Sequence, residues 1–354
     1  MKQAMIAMSG GVDSSVAAYL VKKTGRPCVG VTMRLSTNAD VGIPKGHPCC
    51  SLSDIEDARS VAYRLGIPYY VFNFTDDFRE KVIDRFVDAY RNGETPNPCI
   101  DCNKYMKFEK LVLRAKALEC ETIVTGHYAR IERSGKMYVL KKALDETKDQ
   151  SYALYHLTQA QLAHTMFPLG GIRKSEVRRI AQEQGFLNAE KQDSQDLCFV
   201  PDGDYAGMIE RYTGTTFPHG PFVDQEGNLL GEHRGIIHYT VGQRKGLGLA
   251  FSEPMYVCRI CPEDNSIVLG KEQALYDKEL HAGNFHWISD KPPDHSVRLK
   301  AKIRYRQPEQ PAVVTPTGAD TVSVVFDRPQ RAITRGQAVV LYDGDLVVGG
   351  GIIR

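Results

Sequence analysis

Two short segments of the chain carry cysteines in settings that favour chemical reactivity. Cys99 and Cys102 stand three residues apart within residues 95–104, TPNPCIDCNK, where two prolines stiffen the chain just before a helix-like stretch. The positive end of a helix lowers the pKa of a thiol and favours the thiolate, which is the nucleophilic and metal-binding form. Cys198 stands in a second segment, SQDLCF, beside acidic residues. The pattern predicts thiolate chemistry at these three positions.

A glycine-rich segment near the start has the character of a phosphate-binding loop. Residues 8–15 read MSGGVDSS and lie between an apolar strand pattern and a helical pattern. At such a junction, backbone amides and the helix N-terminus attract phosphate, and glycine lets the backbone approach the anion. The segment is neither a Walker loop nor a Gly-x-Gly-x-x-Gly loop. A phosphate or pyrophosphate site is predicted here; the alternative is a helix-capping turn in which Asp13 and Ser14 serve only the backbone.

The remaining cysteines give weaker signals. His47, Cys49 and Cys50 form a metal-like cluster, but the thiols are adjacent and a fourth ligand is not evident. The role of Cys49 and Cys50 therefore stays open. Cys28 and Cys120 lie in apolar or helical patterns, which are typical of cysteines buried as small hydrophobic residues.

The elements that must position these residues alternate along the first 200 residues. Strand patterns and helix patterns follow one another in β-α order, with strands expected at 4–8, 27–33, 69–74 and 122–125 and helices at 14–23, 76–91 and 175–184. This order predicts an α/β fold with a doubly wound parallel sheet. After residue 204 the long helical periodicity is lost. From about residue 280, short alternating strands at 296–305, 321–326 and 338–341 predict a small β-barrel. The expected domains are 1–204, a small central domain at 205–279, and a C-terminal β-barrel at 280–354.

Composition narrows the class of protein. The 354 residues suggest two or three domains, and 42% hydrophobic with 25% charged residues is typical of a globular protein. No apolar run approaches the ~20 residues of a membrane span, so no membrane partner is expected. Nine cysteines without a secretory signal favour reduced thiols. The chain is therefore expected to be cytoplasmic.

A net charge of only +2 means that a polyanion must meet a local basic patch. Residues 297–306, VRLKAKIRYR, alternate strictly, so that a strand would show five cations on one face and apolar residues on the other. Residues 291–335 contain nine Lys and Arg against four acids. This face is predicted to follow nucleic-acid phosphates. The alternative is an edge strand whose positive charges prevent aggregation.

Several motifs resemble known enzymes. The glycine loop is similar to the SGGxDS signature of the PP-loop ATP pyrophosphatases, which implies cleavage of ATP to AMP and pyrophosphate. SGGVDSS, TPNPCIDCNKYMKF, TGHYAR, KDQSYAL, SQDLCF, RYRQP and GGGII occur in the order found in the tRNA-specific 2-thiouridylases, the MnmA family. The resemblance spans essentially the whole chain. It implies a PP-loop catalytic domain, a small central domain and a C-terminal β-barrel.

The resemblance implies that sulfur replaces the oxygen on carbon 2 of the wobble uridine in tRNAs for Lys, Glu and Gln. A uracil carbonyl is a poor electrophile, and hydroxide is a poor leaving group. Adenylation by ATP turns that oxygen into part of an AMP leaving group. ATP with Mg²⁺ and tRNA are therefore implied, together with a cysteine desulfurase or a sulfur-relay protein as sulfur donor.

The resemblance also assigns roles to positions of this chain. Cys198 matches the cysteine that carries a persulfide, and Cys102 matches the nucleophile that releases its sulfur through a disulfide. The ATP positions are Ala7, Met8, Ser9, Gly10, Gly11, Val12, Asp13, Ser14, Met33 and Gly126. The tRNA positions are Asn97, Pro98 and Cys99 at the target base, with His127, Lys148, Asp149, Gln150, Arg304, Tyr305 and Gln337 elsewhere.

Cys99 departs from the family pattern, because many members have Asp at this position. An acid there is suited to general acid-base work, which a thiol fills only in part. The alternative is that Cys99, Cys102 and Cys198 hold a four-iron cluster with one iron left open to bind sulfide. The spacing leaves both sulfur routes open. For Mg²⁺, Asp13 is the one ligand considered.

Two other functions compete with thiolation. Another PP-loop enzyme that adenylates a carboxylate would have no evident need for Cys102 and Cys198. An RNA-binding module would leave the glycine loop inert, and ATP-dependent release of pyrophosphate would exclude it. The sulfur donor, the oligomeric state and the full set of tRNAs are not determined by the sequence.

Overall fold

A five-stranded parallel sheet forms the first part of the chain in a computed structural model, which describes residues 2–36, 52–193, 197–200 and 202–354. Its strands lie in the order β3-β2-β1-β4-β7, and each neighbouring pair is parallel. The strands are β1 Ala4–Ala7, β2 Cys28–Arg34, β3 Tyr69–Asn73, β4 Thr122–Val124 and β7 Thr165–Met166. Four of them match the predicted strands to within one or two residues.

Helices cover both faces of this sheet. They are α1 Val12–Lys23, α2 Leu52–Leu65, α3 Thr75–Phe78, α4 Asp84–Arg91, α5 Pro98–Asp101, α6 Leu111–Ala117, α7 Gln159–Ala163, α8 Lys174–Glu183 and, beyond the sheet, α9 Tyr205–Thr213. Successive residues of β1 point to opposite sides: Ile6 joins the apolar core with α1, α2 and α8, whereas Met5 joins the core with α4 and α6. The predicted doubly wound α/β fold is confirmed. Within the described ranges, none of the helices is long and apolar enough to cross a membrane.

Two of the helical stretches contain π-helical turns. Arg79–Ile83 joins α3 to α4, and Cys102–Lys110 joins α5 to α6. A periodicity of 3.6 residues predicts ordinary helix at these places, and the wider turns are not visible in it. Turns of this kind occur frequently at functional sites.

A small sheet forms the central part of the chain. Its strands lie in the order β10-β11-β8-β9 and are β8 Gly220–Val223, β9 Leu229–His233, β10 Tyr256–Cys261 and β11 Ser266–Gly270. Helix α9 precedes it and is missed by the sequence reasoning. Its signals are nevertheless present, because the Asp204 side chain accepts a hydrogen bond from the Gly207 amide and Gly214 ends the helix at φ +64°.

The last part of the chain is a closed antiparallel barrel. Six strands follow in the order β12-β15-β14-β13-β16-β17, and β17 pairs back with β12. They are β12 Tyr276–Trp287, β13 Val297–Lys302, β14 Gln310–Pro316, β15 Val322–Arg331, β16 Ala338–Asp343 and β17 Leu346–Ile353. The predicted C-terminal barrel is confirmed. The strand expected at 296–305 is wrong at its end, because the chain bends after Lys302 to reverse into β14.

A hairpin from the first part of the chain extends the barrel. Its strands are β5 Arg130–Ser134 and β6 Met137–Lys141, and Lys141 pairs with Leu346 of β17. Nearby, the Tyr152 hydroxyl donates to the Ala338 carbonyl at 2.8 Å. The parallel-sheet part and the barrel are therefore joined by backbone pairing as well as by side-chain contacts.

His156 lies in the apolar region between these two parts and generates a prediction about acid stability. It is 7% exposed, and desolvation, followed by the charges of Lys104 and His286, lowers its pKa to about 3. The stability that neutral His156 contributes is complete above its unfolded pKa of ~6.5 and is lost as the pH falls toward the folded value.

We expect the loss of unfolding free energy between pH 7.5 and pH 5 to be about 2 kcal/mol smaller in His156→Leu than in the wild type. Urea unfolding at the two pH values measures this difference. His295→Leu, at an exposed position, is the matched control. An equal loss in the wild type and His156→Leu would contradict the prediction.

Candidate active site

The glycine loop connects β1 to α1 in a conformation that requires glycine. Gly10 has φ +76°, and a Cβ there would lie 2.3 Å from the backbone oxygen of Asp54. Ser14 closes the loop: its hydroxyl donates to the Gly11 carbonyl at 3.0 Å and accepts from the Ser9 amide at 3.1 Å. The amides at the start of α1 are thereby fixed beside the loop, as anion binding requires.

The structure brings the predicted ATP positions together. β1 and β4 are neighbours, and Gly126, just after β4, lies so close that a Cβ there would be 2.8 Å from the Ser14 nitrogen. Met33 lies near the carboxyl end of β2, the neighbour of β1 on its other side. In a doubly wound sheet, ligands bind at the carboxyl ends of strands where the strand order reverses. The crevice between β1 and β4 is such a place.

A buried lysine beneath this crevice links two acidic residues. Lys174 is 8% exposed, and its Nζ donates to both Asp13 carboxylate oxygens at 2.7 and 2.8 Å and lies 2.7 Å from an Asp193 oxygen. The Tyr128 hydroxyl also donates to Asp13, at 2.7 Å. Lys148 and Arg178 complete the shell of Asp193.

Charge pairing controls the protonation of this network. Desolvation alone would raise the pKa of Asp193, but hydrogen bonds from Lys148 and Lys174 lower it overall. Desolvation and the Asp13 charge raise the pKa of Tyr128, so its hydroxyl stays protonated. Sequence reasoning missed Lys174 and Tyr128, although Tyr128 stands in the TGHYAR motif.

Asn97, Pro98 and Cys99 form the start of α5. The Asn97 side chain accepts a hydrogen bond from the Cys99 amide at 3.2 Å, and Pro98 is the buried first residue of the helix. The Cys99 side chain reaches solvent, yet the protein around it raises its pKa by desolvation, and the charge of Lys107 lowers it in part. The pKa of the Cys99 thiol is therefore raised, whereas the sequence predicted that the helix start would lower it.

The segments of Cys102 and Cys198 pack against one helical stretch. Phe199, next to Cys198, contacts Phe78 and Phe86 at ring-centroid distances of 5.8 and 5.3 Å. Those two rings flank the π-helical turn Arg79–Ile83, and this turn contacts α5. Helix α5 ends directly before Cys102. The three predicted cysteines therefore belong to one region.

The thiols do not form a metal site in this conformation. Among the described residues, which include Cys99, Cys102 and Cys198, no three His, Cys, Asp or Glu side chains are arranged to hold a metal ion. Asp13, considered for Mg²⁺, is already bonded to Lys174 and Tyr128. In these ranges the thiols are therefore not arranged as a preformed cluster site, and the Asp13 carboxylate is occupied by Lys174 and Tyr128. His47, Cys49 and Cys50 lie outside the described residues.

Lys148, Asp149 and Gln150, predicted to contact tRNA, are anchored by the protein itself. Lys148 pairs with Asp193 at 2.8 Å, and Asp149 accepts from the Ala143 amide at 2.9 Å. The Gln150 side-chain oxygen accepts from the Tyr128 amide at 2.9 Å. These contacts place the segment beside the Lys174 network.

Gln337 and the segment before Cys99 join across the interface with the barrel. The Gln337 side-chain amide donates to the Thr95 backbone carbonyl at 2.7 Å, and the Thr95 backbone amide donates to the Arg335 carbonyl at 2.9 Å. The barrel therefore fixes the approach to α5, where the target base is predicted to bind.

The predicted basic face divides into two parts. Arg298, Lys300 and Lys302 share one face of β13, and Arg298 pairs with Asp327. Arg304 lies in the following bend and points inward, where its Nη2 donates to the Val241 and Ala332 carbonyls and to the Thr334 hydroxyl at 2.8–3.2 Å.

The rest of this turn is more open. Arg306 is exposed, and Tyr305 is 39% exposed with its ring 6.0 Å from that of Tyr152. The ammonium of Lys302 lies 5.8 Å from the Tyr305 ring centroid. An aromatic ring and cations are thus presented together.

His127 is buried just after β4 and contacts Lys107 of the π-helical turn. Its Nε2 lies 3.4 Å from Lys107 Nζ, and its Nδ1 lies 2.6 Å from the Thr125 hydroxyl. Lys107 also donates to the Asn103 side-chain oxygen at 2.8 Å. Sequence reasoning included His127 but missed Lys107 and Asn103, which stand in the motif CNKYMKF.

Comparison with known families agrees with this architecture. Three family profiles match in succession: a "tRNA methyl transferase HUP domain" at residues 2–202, a "tRNA methyl transferase PRC-barrel domain" at 207–271 and an "Aminomethyltransferase beta-barrel domain" at 277–353. The profiles therefore cover most of the chain.

Full-length relatives give a more specific result. The chain is 52% identical over 355 residues to the tRNA-specific 2-thiouridylase MnmA of Clostridioides difficile, covering 100% of this chain and 98% of that protein. Identity to the protein of the same name from Acetivibrio thermocellus is 52% over 357 residues, and to that from Clostridium acetobutylicum 49% over 353 residues, each covering 100% of this chain and 99% of the relative. The chain belongs to the tRNA-specific 2-thiouridylase MnmA family.

Proposed function

We propose that this chain is a tRNA-uridine 2-sulfurtransferase that converts the wobble uridine of tRNAs for Lys, Glu and Gln to 2-thiouridine in the cytoplasm. The observation that carries the proposal is the position of the glycine loop and of the Cys99–Cys102 segment. Gly126 touches the loop, and the next residue, His127, contacts the helical turn that begins at Cys102. The proximity of the glycine loop to the Cys99–Cys102 segment supports a reaction in which adenylation and sulfur transfer follow one another at one sheet edge.

In the first step, the oxygen on carbon 2 of the uridine attacks the α-phosphorus of ATP. An oxygen–phosphorus bond forms, the bond to the β-phosphate oxygen breaks, and pyrophosphate leaves with the electron pair. The proton on nitrogen 3 is released, which leaves an adenylated base. The loop residues Ala7 to Ser14, with Met33 and Gly126, bind the nucleotide in this proposal. Mg²⁺ would accompany the ATP phosphates and neutralise part of their charge.

In the second step, a persulfide on Cys198 supplies the sulfur. Its terminal sulfur attacks carbon 2, and AMP leaves with the original oxygen. The Cys102 thiolate then attacks the Cys198 sulfur, so that the sulfur–sulfur bond breaks and a Cys102–Cys198 disulfide forms. The base leaves as an anion and takes up a proton at nitrogen 3 to give 2-thiouridine. A thiol reductant supplies two electrons to reset the pair. A cysteine desulfurase or a relay protein recharges Cys198.

The tRNA is proposed to lie across the sheet edge and the barrel. Asn97, Pro98 and Cys99 meet the target base, while Gln337, Tyr305 and the exposed cations of the barrel meet the rest of the RNA. The divisions 1–204, 205–279 and 280–354 would then separate catalysis, a connecting unit and RNA binding. The closed barrel and its extension by the β5–β6 hairpin support this division of labour.

The direct test supplies unmodified glutamate tRNA, ATP, Mg²⁺ and a persulfide-generating desulfurase to iron-free protein. We expect 2-thiouridine by nucleoside mass spectrometry. Cys198→Ser should reduce product at least 100-fold, because no other thiol is assigned to carry the sulfur, and Cys258→Ser is the matched control in the central sheet.

The other outcomes separate the rival functions. Product that appears only after anaerobic reconstitution with iron and sulfide would replace the persulfide route by a cluster on Cys99, Cys102 and Cys198. Full 2-thiouridine formation in Cys198→Ser would overturn Cys198 as the sulfur carrier. Pyrophosphate release without 2-thiouridine, unchanged in Cys198→Ser, would favour a different adenylating enzyme. Absence of product under every condition would overturn thiolation itself.

The glycine loop allows a test of ATP binding with a matched control. Gly10 and Gly25 both have φ +76°, but a Cβ at Gly25 meets nothing within 4 Å, whereas at Gly10 it meets the Asp54 backbone. Gly25→Ala therefore measures the cost of the backbone conformation alone, about 1 kcal/mol of stability.

Gly10→Ala is expected to weaken ATP binding at least tenfold by calorimetry, because the loop must shift, and Gly25→Ala is expected to leave it unchanged. Equal ATP affinity in both variants would argue against this loop as the ATP site.

The two arginines of the barrel turn should behave differently. Arg306 is exposed, so Arg306→Ala is expected to weaken tRNA binding by about three- to tenfold and to reduce its salt slope by ~1. Arg304 is bonded internally, so Arg304→Ala is expected to lower the thermal midpoint of the protein because buried carbonyls lose their donor.

Filter binding between 50 and 300 mM salt measures the slope, and Arg64→Ala in α2 serves as the control on an exposed arginine outside the barrel. A slope for Arg306→Ala equal to that of the wild type would remove this turn from the RNA-binding surface.

A further inference from the structure

The ammonium of Lys107 is held in a fixed orientation. It donates to the Asn103 side-chain oxygen at 2.8 Å and lies 3.4 Å from His127 Nε2. Asn103 is 3% exposed, and its amide nitrogen donates to the Ala153 carbonyl at 3.2 Å, which turns its oxygen toward Lys107. Both partners are buried, so the position of the ammonium is set before any ligand arrives.

His127 is an acceptor for Lys107. Lysine only donates hydrogen bonds, so Nε2 of His127 accepts and the ring proton lies on Nδ1, which donates to the Thr125 hydroxyl at 2.6 Å. His127 is 7% exposed, and desolvation, followed by the charge of Lys107, lowers its pKa well below the usual value. The ring is neutral at pH 7, and both of its nitrogens are already bonded.

The ammonium lies between the two halves of the proposed reaction. On one side, His127 follows Gly126, which packs against the backbone of Asp13 and Ser14 in the glycine loop. On the other side, Lys107 acts electrostatically on Cys99, at the start of the same continuous helical stretch. Lys107 itself lies in the π-helical turn Cys102–Lys110. The ammonium is thus linked through His127 to the residue that packs on the glycine loop, and it acts on the thiol at the start of α5.

One N–H of Lys107 remains to be assigned. An ammonium has three, and Asn103 and His127 accept two of them. Within the ranges that the structure describes, we find no protein acceptor for the third, and the side chain is half-buried rather than covered. A lysine held in this way is suited to a phosphate oxygen, where a fixed cation stabilises developing charge.

We propose that Lys107 donates its third N–H to the α-phosphate of ATP as that phosphate is transferred to the uridine oxygen, and to the same phosphate when it leaves as AMP. The inference rests on the proposed function. Lys107 transfers no proton in either step: it offsets negative charge on the non-bridging oxygens while the oxygen–phosphorus bond forms and pyrophosphate departs. His127 and Asn103 are positioning residues for Lys107.

The test compares Lys107→Met and Lys107→Arg in the full chain. For Lys107→Met we expect kcat for tRNA-dependent pyrophosphate release to fall about 100-fold, with KM for tRNA within twofold. The Kd for α,β-methylene-ATP should rise about fivefold or more, as for a lost hydrogen bond to a charged group. Lys107→Arg should recover part of both losses. Lys116→Met, exposed in α6, is the matched control.

The positioning role of His127 has its own readout. His127→Gln retains an acceptor for Lys107, whereas His127→Phe retains only the ring shape. We expect kcat to fall about tenfold further in His127→Phe than in His127→Gln, with equal KM for tRNA. A higher kcat in His127→Phe than in His127→Gln would show that His127 acts by packing and would overturn its positioning role.

Each remaining outcome decides the proposal. If Lys107→Met loses tRNA affinity at unchanged kcat, Lys107 contacts the RNA backbone and the α-phosphate assignment is overturned. A Lys107→Met variant equal to the wild type in kcat and Kd would also overturn that assignment. If the wild type itself releases no pyrophosphate with tRNA, the proposed function fails. The Kd for α,β-methylene-ATP then still decides Lys107: a raised value supports the phosphate contact, and an unchanged value overturns it.

Discussion

The buried ammonium of Lys174 is the interaction on which the site depends. A charge removed from water must be paired, and Lys174 is bonded to Asp13 of the glycine loop and to Asp193, five residues before Cys198. Loss of Lys174 would leave two carboxylates facing each other without a cation between them. The pairing therefore ties the start of α1, the start of α8 and Asp193 to one another. The Tyr128 hydroxyl donates to the same Asp13, and its backbone amide donates to Gln150, so the segment that contains His127 is connected to this pairing.

The sheet and the barrel restrict the site from opposite sides. Strand order places the loops after β1 and β4 side by side, so that Gly126 contacts the glycine loop. The barrel holds the segment before Cys99 through Thr95 and Gln337. Neither part alone would define the distance between the nucleotide loop and α5. The β5–β6 hairpin pairs with β17 of the barrel, so that this distance depends on both parts of the chain.

Local sequence signals predicted the local features well. The parallel strands and the barrel were predicted from short periodic patterns, and the glycine loop was predicted from its motif. Gly10 stands where a left-handed backbone conformation is needed. Contacts between distant residues could not be read in this way. The pairing of Lys141 with Leu346, the inward turn of Arg304 and the bridge formed by Lys174 join residues far apart in sequence. The strand expected to continue through Arg304 ends at Lys302, and in the bend Arg304 is hydrogen-bonded to Val241, Ala332 and Thr334, which are distant in sequence.

The central claim is that the uridine oxygen is adenylated at the glycine loop before sulfur enters, and the fate of that oxygen tests it most directly. A tRNA whose wobble uridine carries ¹⁸O on carbon 2 would be thiolated in a single turnover, and the AMP would be analysed by mass spectrometry. The account predicts that each AMP formed with 2-thiouridine gains one ¹⁸O atom, because the oxygen leaves bonded to phosphorus. Unlabelled AMP beside thiolated tRNA, with the ¹⁸O released to water, would contradict it.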